Sequence, residues 1–234
     1  MLQPAEIGRA LVITAHPDDV DFGAAGTVAW LTDEGVEVTY CLVTDGDAGG
    51  FDPTTSRPDM AAMRRIEQTR AAKEVGVESL IFLGHADGRV TYDLTLRRDL
   101  SRVIRQVKPT VVITQSPERN LERIYASHPD HLAAGEAAIA AVYPDARNPF
   151  AYPELIDEGL EAWTVPEVWV MGGAKPNTHV DVTDQVERKI RALLCHETQH
   201  QDPSGVEGRV RGWMGMTAQH FGLPLRGAIQ HPDI

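Results

Sequence analysis

The chain has 234 residues, 42% of them hydrophobic and 24% charged, which is the composition of a folded globular protein and excludes a disordered, fibrous or collagen-like one. Its 22 Lys and Arg against 34 Asp and Glu leave a formal charge of −12, a repulsive balance toward nucleic acid and anionic membranes. The two cysteines, Cys41 and Cys195, have no Cys-x-x-Cys spacing, so neither a disulfide framework nor a cysteine zinc site is expected. No stretch approaches the ~20 apolar residues of a membrane span, and no signal-peptide pattern opens the chain. The expectation is a cytoplasmic protein of one domain over residues 1–234, with about 201–234 as an irregular C-terminal extension.

Residues 9–14 (RALVIT) are a short apolar run that reads as a buried strand. A helical pattern follows over 24–34, closed by Gly35. A second strand is expected over 36–43. The Gly/Pro/Asp-rich segment 45–59 (DGDAGGFDPTTSRPD) reads as a loop long enough to act as a lid. A helix over 60–75 leads to a third strand over 80–83 and a turn holding His85 and Asp87, read as structural. A helix over 93–107 ends before Pro109, and TVVIT over 110–114 is a fourth strand. An Ala-rich helix is expected over 132–142, a fifth strand over 165–171, and a helix over 183–200.

Strands alternate with helices, and the strand runs are apolar on both faces. This predicts an α/β fold with a mostly parallel sheet covered by helices on both faces, for which the doubly wound, Rossmann-like strand order 3-2-1-4-5 is assumed.

The tripeptide His-Pro-Asp occurs at His16, His128 and His231, where composition predicts about 0.04 occurrences. The third lies in the last four residues and is read as tail. The first two extend to HPDD (16–19) and HPDH (128–131), each just after a predicted strand. In the assumed strand order those strands are neighbours and flank the point where the order reverses, so the motifs are expected to face one cleft. His16 and Asp19, and His128 and His131, are each three apart, which at a loop-to-helix junction puts a pair on one face. Two imidazoles and a carboxylate are a common catalytic zinc set with one position left for water. Such a metal lowers the water pKa to about 7, and a neighbouring carboxylate takes the proton. The bland alternative is that Asp18 and Asp19 cap a helix.

AHPDDVDFGAAGTVA (15–29) and SHPDH (127–131) resemble the signature motifs of the LmbE-like/PIG-L zinc de-N-acetylases. Arg64-x-x-Glu67 with Ala71 and Ala72, FLGHADG (82–88) and DVTDQVERKIRALLCHETQ (181–199) resemble further stretches of that family. Val20 stands where many members have Glu, as in the shorter branch that includes bacillithiol-pathway deacetylases. The resemblance implies removal of an N-acetyl group from an amino sugar such as a GlcNAc conjugate. It implies His16, Asp19 and His131 as zinc ligands, with another divalent metal such as iron or cobalt able to use the same set. Asp18 would be the general base, and His128 would act on the tetrahedral intermediate, oriented by Asp130. Arg64 and Arg147 would contact the substrate, and the assembly would be a trimer or hexamer. Two rivals stand beside this reading: an amidase acting on a larger amide such as a thiol conjugate, and a non-catalytic metal- or sugar-binding module.

Overall fold

The strand β1 (Arg9–Thr14) pairs in parallel with β2 (Glu37–Thr44) on one side and β4 (Val111–Gln115) on the other. β3 (Ser79–His85) extends the sheet beyond β2, and β5 (Glu167–Met171) extends it beyond β4. The expected order 3-2-1-4-5 is therefore present. The computed structural model describes residues 1–121, 124–220 and 226–230. The third His-Pro-Asp, at His231, lies outside the described residues.

Side chains alternate across β1: Ala10 and Val12 enter one apolar cluster, Leu11 and Ile13 the other. Each fully buried Leu or Ile there contributes about 2 to 3 kcal/mol. The first cluster is covered by α2 (Ala25–Asp33), α3 (Arg57–Glu74), α7 (Val186–Leu194) and α8 (Val206–His220). The second is covered by α4 (Leu94–Val107) and α5 (Pro129–Ala140). A one-turn helix, α1 (Asp19–Gly23), carries the end of the HPDD motif, and α6 (Pro153–Asp157) lies in the connection to β5.

The expected boundaries shift in several places: α3 begins at Arg57, inside the segment expected to be a loop, and α7 spans Val186–Leu194 rather than 183–200. The helix expected over 24–34 is preceded by α1 and breaks at Ala24, where φ is −133°. The helix expected over 132–142 starts at Pro129, with Pro at its first position, where its missing N–H costs nothing. The region expected to be irregular after 201 holds the 15-residue helix α8 and the strand β7 (Arg226–Gln230). β7 pairs antiparallel with β5 and with β6 (Thr178–Asp181), giving a seven-stranded sheet. No described helix is long and apolar enough to cross a membrane.

Candidate active site

The carboxyl ends of β1 and β4 lie side by side, and two contacts fix how the chain leaves them. The Ala15 amide donates to Gln115 Oε1 at 2.9 Å. A Cβ on Gly135 would overlap the Gln115 carbonyl, so glycine lets α5 press its second turn against the end of β4. The HPDD and HPDH motifs thereby face each other across the switch point of the sheet.

His16 is 8% exposed. Its Nδ1 lies 3.2 Å from His131 Nε2 and 3.3 Å from Asp19 Oδ2, while His131 Nε2 lies 2.9 Å from Asp19 Oδ1. A tetrahedral zinc with bonds near 2.05 Å keeps its ligand atoms about 3.3 Å apart. The triangle of residues His16, Asp19 and His131 has separations of that size, its two Asp19 edges ending on different oxygens of the carboxylate. The other side of His16 fixes which nitrogen is free. Nε2 lies 3.1 Å from Asp87 Oδ1 and 3.2 Å from Asp130 Oδ2. Carboxylates accept, so Nε2 carries a proton, and a cation held with Asp19 and His131 would take the Nδ1 lone pair in place of the proton that Nδ1 otherwise offers to Asp19. The donor set fits a divalent cation. His128 adds a third imidazole, with the ring nitrogens of His16, His128 and His131 all within 4.8 Å of one another. Its Nδ1, however, accepts from the Asp130 amide at 3.2 Å.

Without a cation the cluster is strongly coupled. Burial pushes the His16 imidazolium down, but hydrogen bonds to Asp130, Asp19 and Asp87 outweigh it and hold its pKa up at about 12. Burial raises the Asp19 carboxyl, yet His131 and His16 together hold it well below the usual carboxylate range. Burial lowers the His128 pKa, with the neighbouring charges of His16 and His131 acting in the same direction.

Asp18 stands at the N-cap position of α1, but its side chain makes no capping bond. It sits at φ 86°, a left-handed conformation costly for a residue with a Cβ. Its Oδ2 lies 3.1 Å from Arg64 Nη2. Burial raises its pKa to about 6 against the opposing pull of Arg64. That value suits a group exchanging a proton near neutrality.

The structure places three expected residues differently from the sequence reading. Arg64 is 3% exposed, and its guanidinium donates to the carbonyls of Pro17 and Gly46 (the latter at 2.9 Å) and to Asp18. It therefore holds the Asp18 carboxylate rather than facing an open cleft. Gly46, at φ 65°, allows the loop to close over this guanidinium, because a Cβ there would overlap it. Arg147 does not join the cluster. It follows α5 at the end opposite His131, and a 12-residue helix is about 18 Å long. The carbonyls flanking it, from Asp145, Ala146, Asn148 and Ala151, all bind Arg105 near the end of α4, where the chain turns toward the start of β4. The Asp130 carboxylate faces His16 rather than His128. Within a first helical turn, positions two apart do not share a face.

Two residues at the site escape the sequence reading. Asp87, expected only to shape a turn, contacts His16 directly. Gln68 donates to Asp21 Oδ2 at 2.9 Å and accepts from the Asp18 amide at 2.8 Å. The expected lid, 45–59, is tied down by Asp45 to Arg65 at 2.8 Å and Asp47 to Arg57 at 2.7 Å.

Comparison with known proteins places this geometry among deacetylases. A diacetylchitobiose deacetylase of Thermococcus kodakarensis is 35% identical over 194 residues, covering 83% of this chain and 71% of that protein. A probable N-acetyl-alpha-D-glucosaminyl L-malate deacetylase 2 of Bacillus anthracis is 30% identical, covering 82% of this chain and 81% of that one. The solved structure of N,N'-diacetylchitobiose deacetylase from Pyrococcus horikoshii, complexed with its inhibitor MPG, superposes with a TM-score of 0.90 at 30% identity, covering 97% of this chain and 85% of that one. The family model described as PIG-L, GlcNAc-PI de-N-acetylase, matches residues 11–142, more than half the chain and both complete His-Pro-Asp cleft motifs, so the chain belongs to that family.

Proposed function

We propose that the protein is a zinc-dependent hydrolase that removes the acetyl group from an N-acetylated amino sugar of the GlcNAc type. The observation that carries this is the cluster of His16 Nδ1, His131 Nε2 and the two Asp19 carboxylate oxygens, at separations of 2.9 to 3.3 Å, with Asp18 next to Asp19 in the same turn. Similarity to deacetylases of two GlcNAc-type substrates supports the reaction class.

His16, Asp19 and His131 hold the metal. Zinc bound there supplies Lewis acidity and brings the pKa of water toward about 7. Asp87 and Asp130 keep the His16 proton on Nε2, so that Nδ1 stays a ligand. Asp18 accepts a proton from the attacking water, with Arg64 holding the carboxylate in place. Because His128 Nδ1 accepts from the Asp130 amide, a neutral His128 carries its proton on Nε2. That N–H is the donor for the oxygen that becomes negative as the amide carbon turns tetrahedral. The C–N bond then breaks as the proton taken by Asp18 passes to the departing nitrogen, and the products are acetate and a free amine on the sugar. All the named groups belong to one unit spanning the chain, which we take as a single domain.

The test measures metal content and acetate release on N-acetylglucosamine, N,N'-diacetylchitobiose and N-acetylglucosaminyl malate, alongside a thiol-conjugate amide. Asp18→Asn should keep one zinc per chain and lose about 10² to 10⁴ in kcat. Zinc-loaded wild-type protein that releases no acetate from any acetylated sugar, or an Asp18→Asn protein with full kcat, would overturn the reading.

A further inference from the structure

The buried side chains behind the site form a chain that ends on the Asp18 backbone. His196 Nε2 lies 2.8 Å from Asp21 Oδ2, and both side chains are 0% exposed. The same Asp21 oxygen accepts from Gln68 Nε2 at 2.9 Å. Gln68 is also fully buried, and its Oε1 accepts the Asp18 amide at 2.8 Å. The polarity of this relay is forced. A carboxylate oxygen can only meet the NH2 end of the amide, so the oxygen end must turn toward Asp18, where a backbone N–H requires an acceptor. The elements involved are remote in sequence: Asp18 and Asp21 belong to the α1 turn, Gln68 to α3, and His196 follows α7.

Two observations separate this from ordinary core packing. Asp21 Oδ1 and His196 Nδ1 have no hydrogen-bond partner among the described residues, an expensive arrangement for filling space alone. The residue at the end of the relay is also the one residue of the HPDD turn with a positive φ, at 86°. A second clamp grips the other end of α1: Lys189 Nζ donates to the carbonyls of Asp21 at 2.7 Å and Phe22 at 2.6 Å.

We propose that Gln68 is a positioning residue for the reaction, oriented by the Asp21–His196 pair so that its amide oxygen holds Asp18 in the left-handed conformation that aims its carboxylate at the metal triangle. Arg64 fixes the carboxylate end of Asp18 and Gln68 fixes the backbone end. The role of Asp18 as base is taken from the deacetylase reading, whereas the geometric role of Gln68 can be measured without any substrate.

The test compares Gln68→Leu, Gln68→Glu and the double variant Gln68→Glu/Asp21→Asn, each zinc-loaded, in kcat, KM, metal content and crystal structure. Misplacement by about 1 Å costs of order 100-fold, so Gln68→Leu should lose roughly 30- to 100-fold in kcat. KM and zinc content should stay near wild type, and Asp18 should leave φ 86°. Gln68→Glu sets two carboxylates against each other and should lose at least as much. The double variant restores the contact with the amide and the carboxylate exchanged: the new amide at position 21 donates to the new carboxylate at position 68, which still accepts from the Asp18 N–H. His196 then carries its proton on Nδ1, which has no partner among the described residues, and accepts the second amide hydrogen through Nε2. It should recover kcat to within about threefold of wild type, which non-additive coupling between contacting residues allows and a general loss of packing does not. An unchanged kcat and an unchanged Asp18 φ in Gln68→Leu would overturn the proposal, as would a double variant no better than Gln68→Glu. If the wild type hydrolyses none of the acetylated sugars, the deacetylase reading fails while the Asp18 φ of Gln68→Leu still decides the positioning role. If Gln68→Leu does not fold, the pair Gln68→Glu and Gln68→Glu/Asp21→Asn decides it.

Discussion

Replacing Arg64 with Met separates two roles that predict different kinetics. A substrate-binding arginine would raise KM when lost and leave the pH profile in place. In the structure the guanidinium instead lies 3.1 Å from Asp18 Oδ2, with the two side chains 4% and 16% exposed. With about 4 Å between charge centres and an effective dielectric near 20, the attraction is about 4 kcal/mol. That is a ceiling of ~3 pKa units at 1.36 kcal/mol each, and arginine–aspartate neighbours commonly realise 1 to 3. Arg64 opposes the burial that lifts Asp18 to about 6, so its removal moves the pKa further up. The base works only when ionised, so the acid limb of kcat/KM should move up by about 1.5 units. For a base starting near 6, the ionised fraction at pH 7 falls from about nine-tenths to about a quarter, and the lost activity returns as the pH rises toward 9. The difference between the two proteins reads the Arg64 effect wherever the bound metal sets the absolute value. The assay is a pH series of acetate release for wild type, Arg64→Met and Arg64→Lys, the last keeping the charge and the acid limb. An Arg64→Met protein with an unmoved acid limb and a KM raised tenfold or more would refute this assignment and return Arg64 to the substrate.

Asp87→Asn leaves Asp130 alone on His16 Nε2 and should weaken zinc affinity by about 10- to 100-fold, read by competition with a chelator; unchanged affinity with a lower kcat would place Asp87 on the substrate instead. Arg147→Ala should leave kcat and KM on acetylated sugars within about twofold, since surface substitutions away from a site rarely exceed ±0.5 kcal/mol. A KM that rises with Arg147→Ala would show that this residue reaches a substrate in the working enzyme. Asp19→Ala should lose metal and turnover together, and a zinc-replete Asp19→Ala protein would remove Asp19 from the ligand set.

Four of the parallel strands, β1, β2, β4 and β5, are legible because both faces of each are buried, which writes an unbroken apolar run such as Leu11-Val12-Ile13 into the sequence, and the half-buried edge strand β3 still carries Leu80-Ile81-Phe82-Leu83. The antiparallel edge is not legible. β6 and β7 are four and five residues long, and β6 reads Thr-His-Val-Asp, with a single fully buried side chain, Val180. The proposed ligands His16, Asp19 and His131 are legible because they come from two short repeated motifs at strand ends. The residues that tune them are not. Asp87 follows the end of β3 by two residues and Gln68 sits in the middle of α3, and neither carries a local spacing signal. They reach the site only because the sheet order brings the β2–α3 and β3 ends beside β1. Arg147 illustrates the converse. It is 16 residues after His131, but the intervening helix carries it the length of the domain, so nearness in sequence becomes distance in space.

The charge of the chain takes on a specific meaning at this cleft. Four carboxylates, Asp18, Asp19, Asp87 and Asp130, converge on His16 and its surroundings, while Arg64 is the arginine that meets them through Asp18. Their division of labour follows from contacts rather than from residue type. Asp87 and Asp130 are anchored by backbone amides, Asp87 by Ala48 at 2.8 Å and Asp130 by Gly88 at 2.7 Å, and so face Nε2 of His16 as fixed acceptors. Asp19 accepts the His16 amide at 2.7 Å through Oδ2 and turns Oδ1 to His131. The Asp18 carboxylate is met by the Arg64 guanidinium rather than by a backbone amide, which leaves an oxygen able to gain and lose a proton. A concentration of negative charge that would be repulsive if left alone is thus what a divalent cation needs. Burial lifts Asp18 to about 6, where a base can work, and the Asp19 charge in that concentration adds to the lift. Binding of the ion and readiness of the base therefore draw on the same carboxylates in the same buried cleft, which is why those that never touch the substrate matter as much to the chemistry as the one that takes the proton.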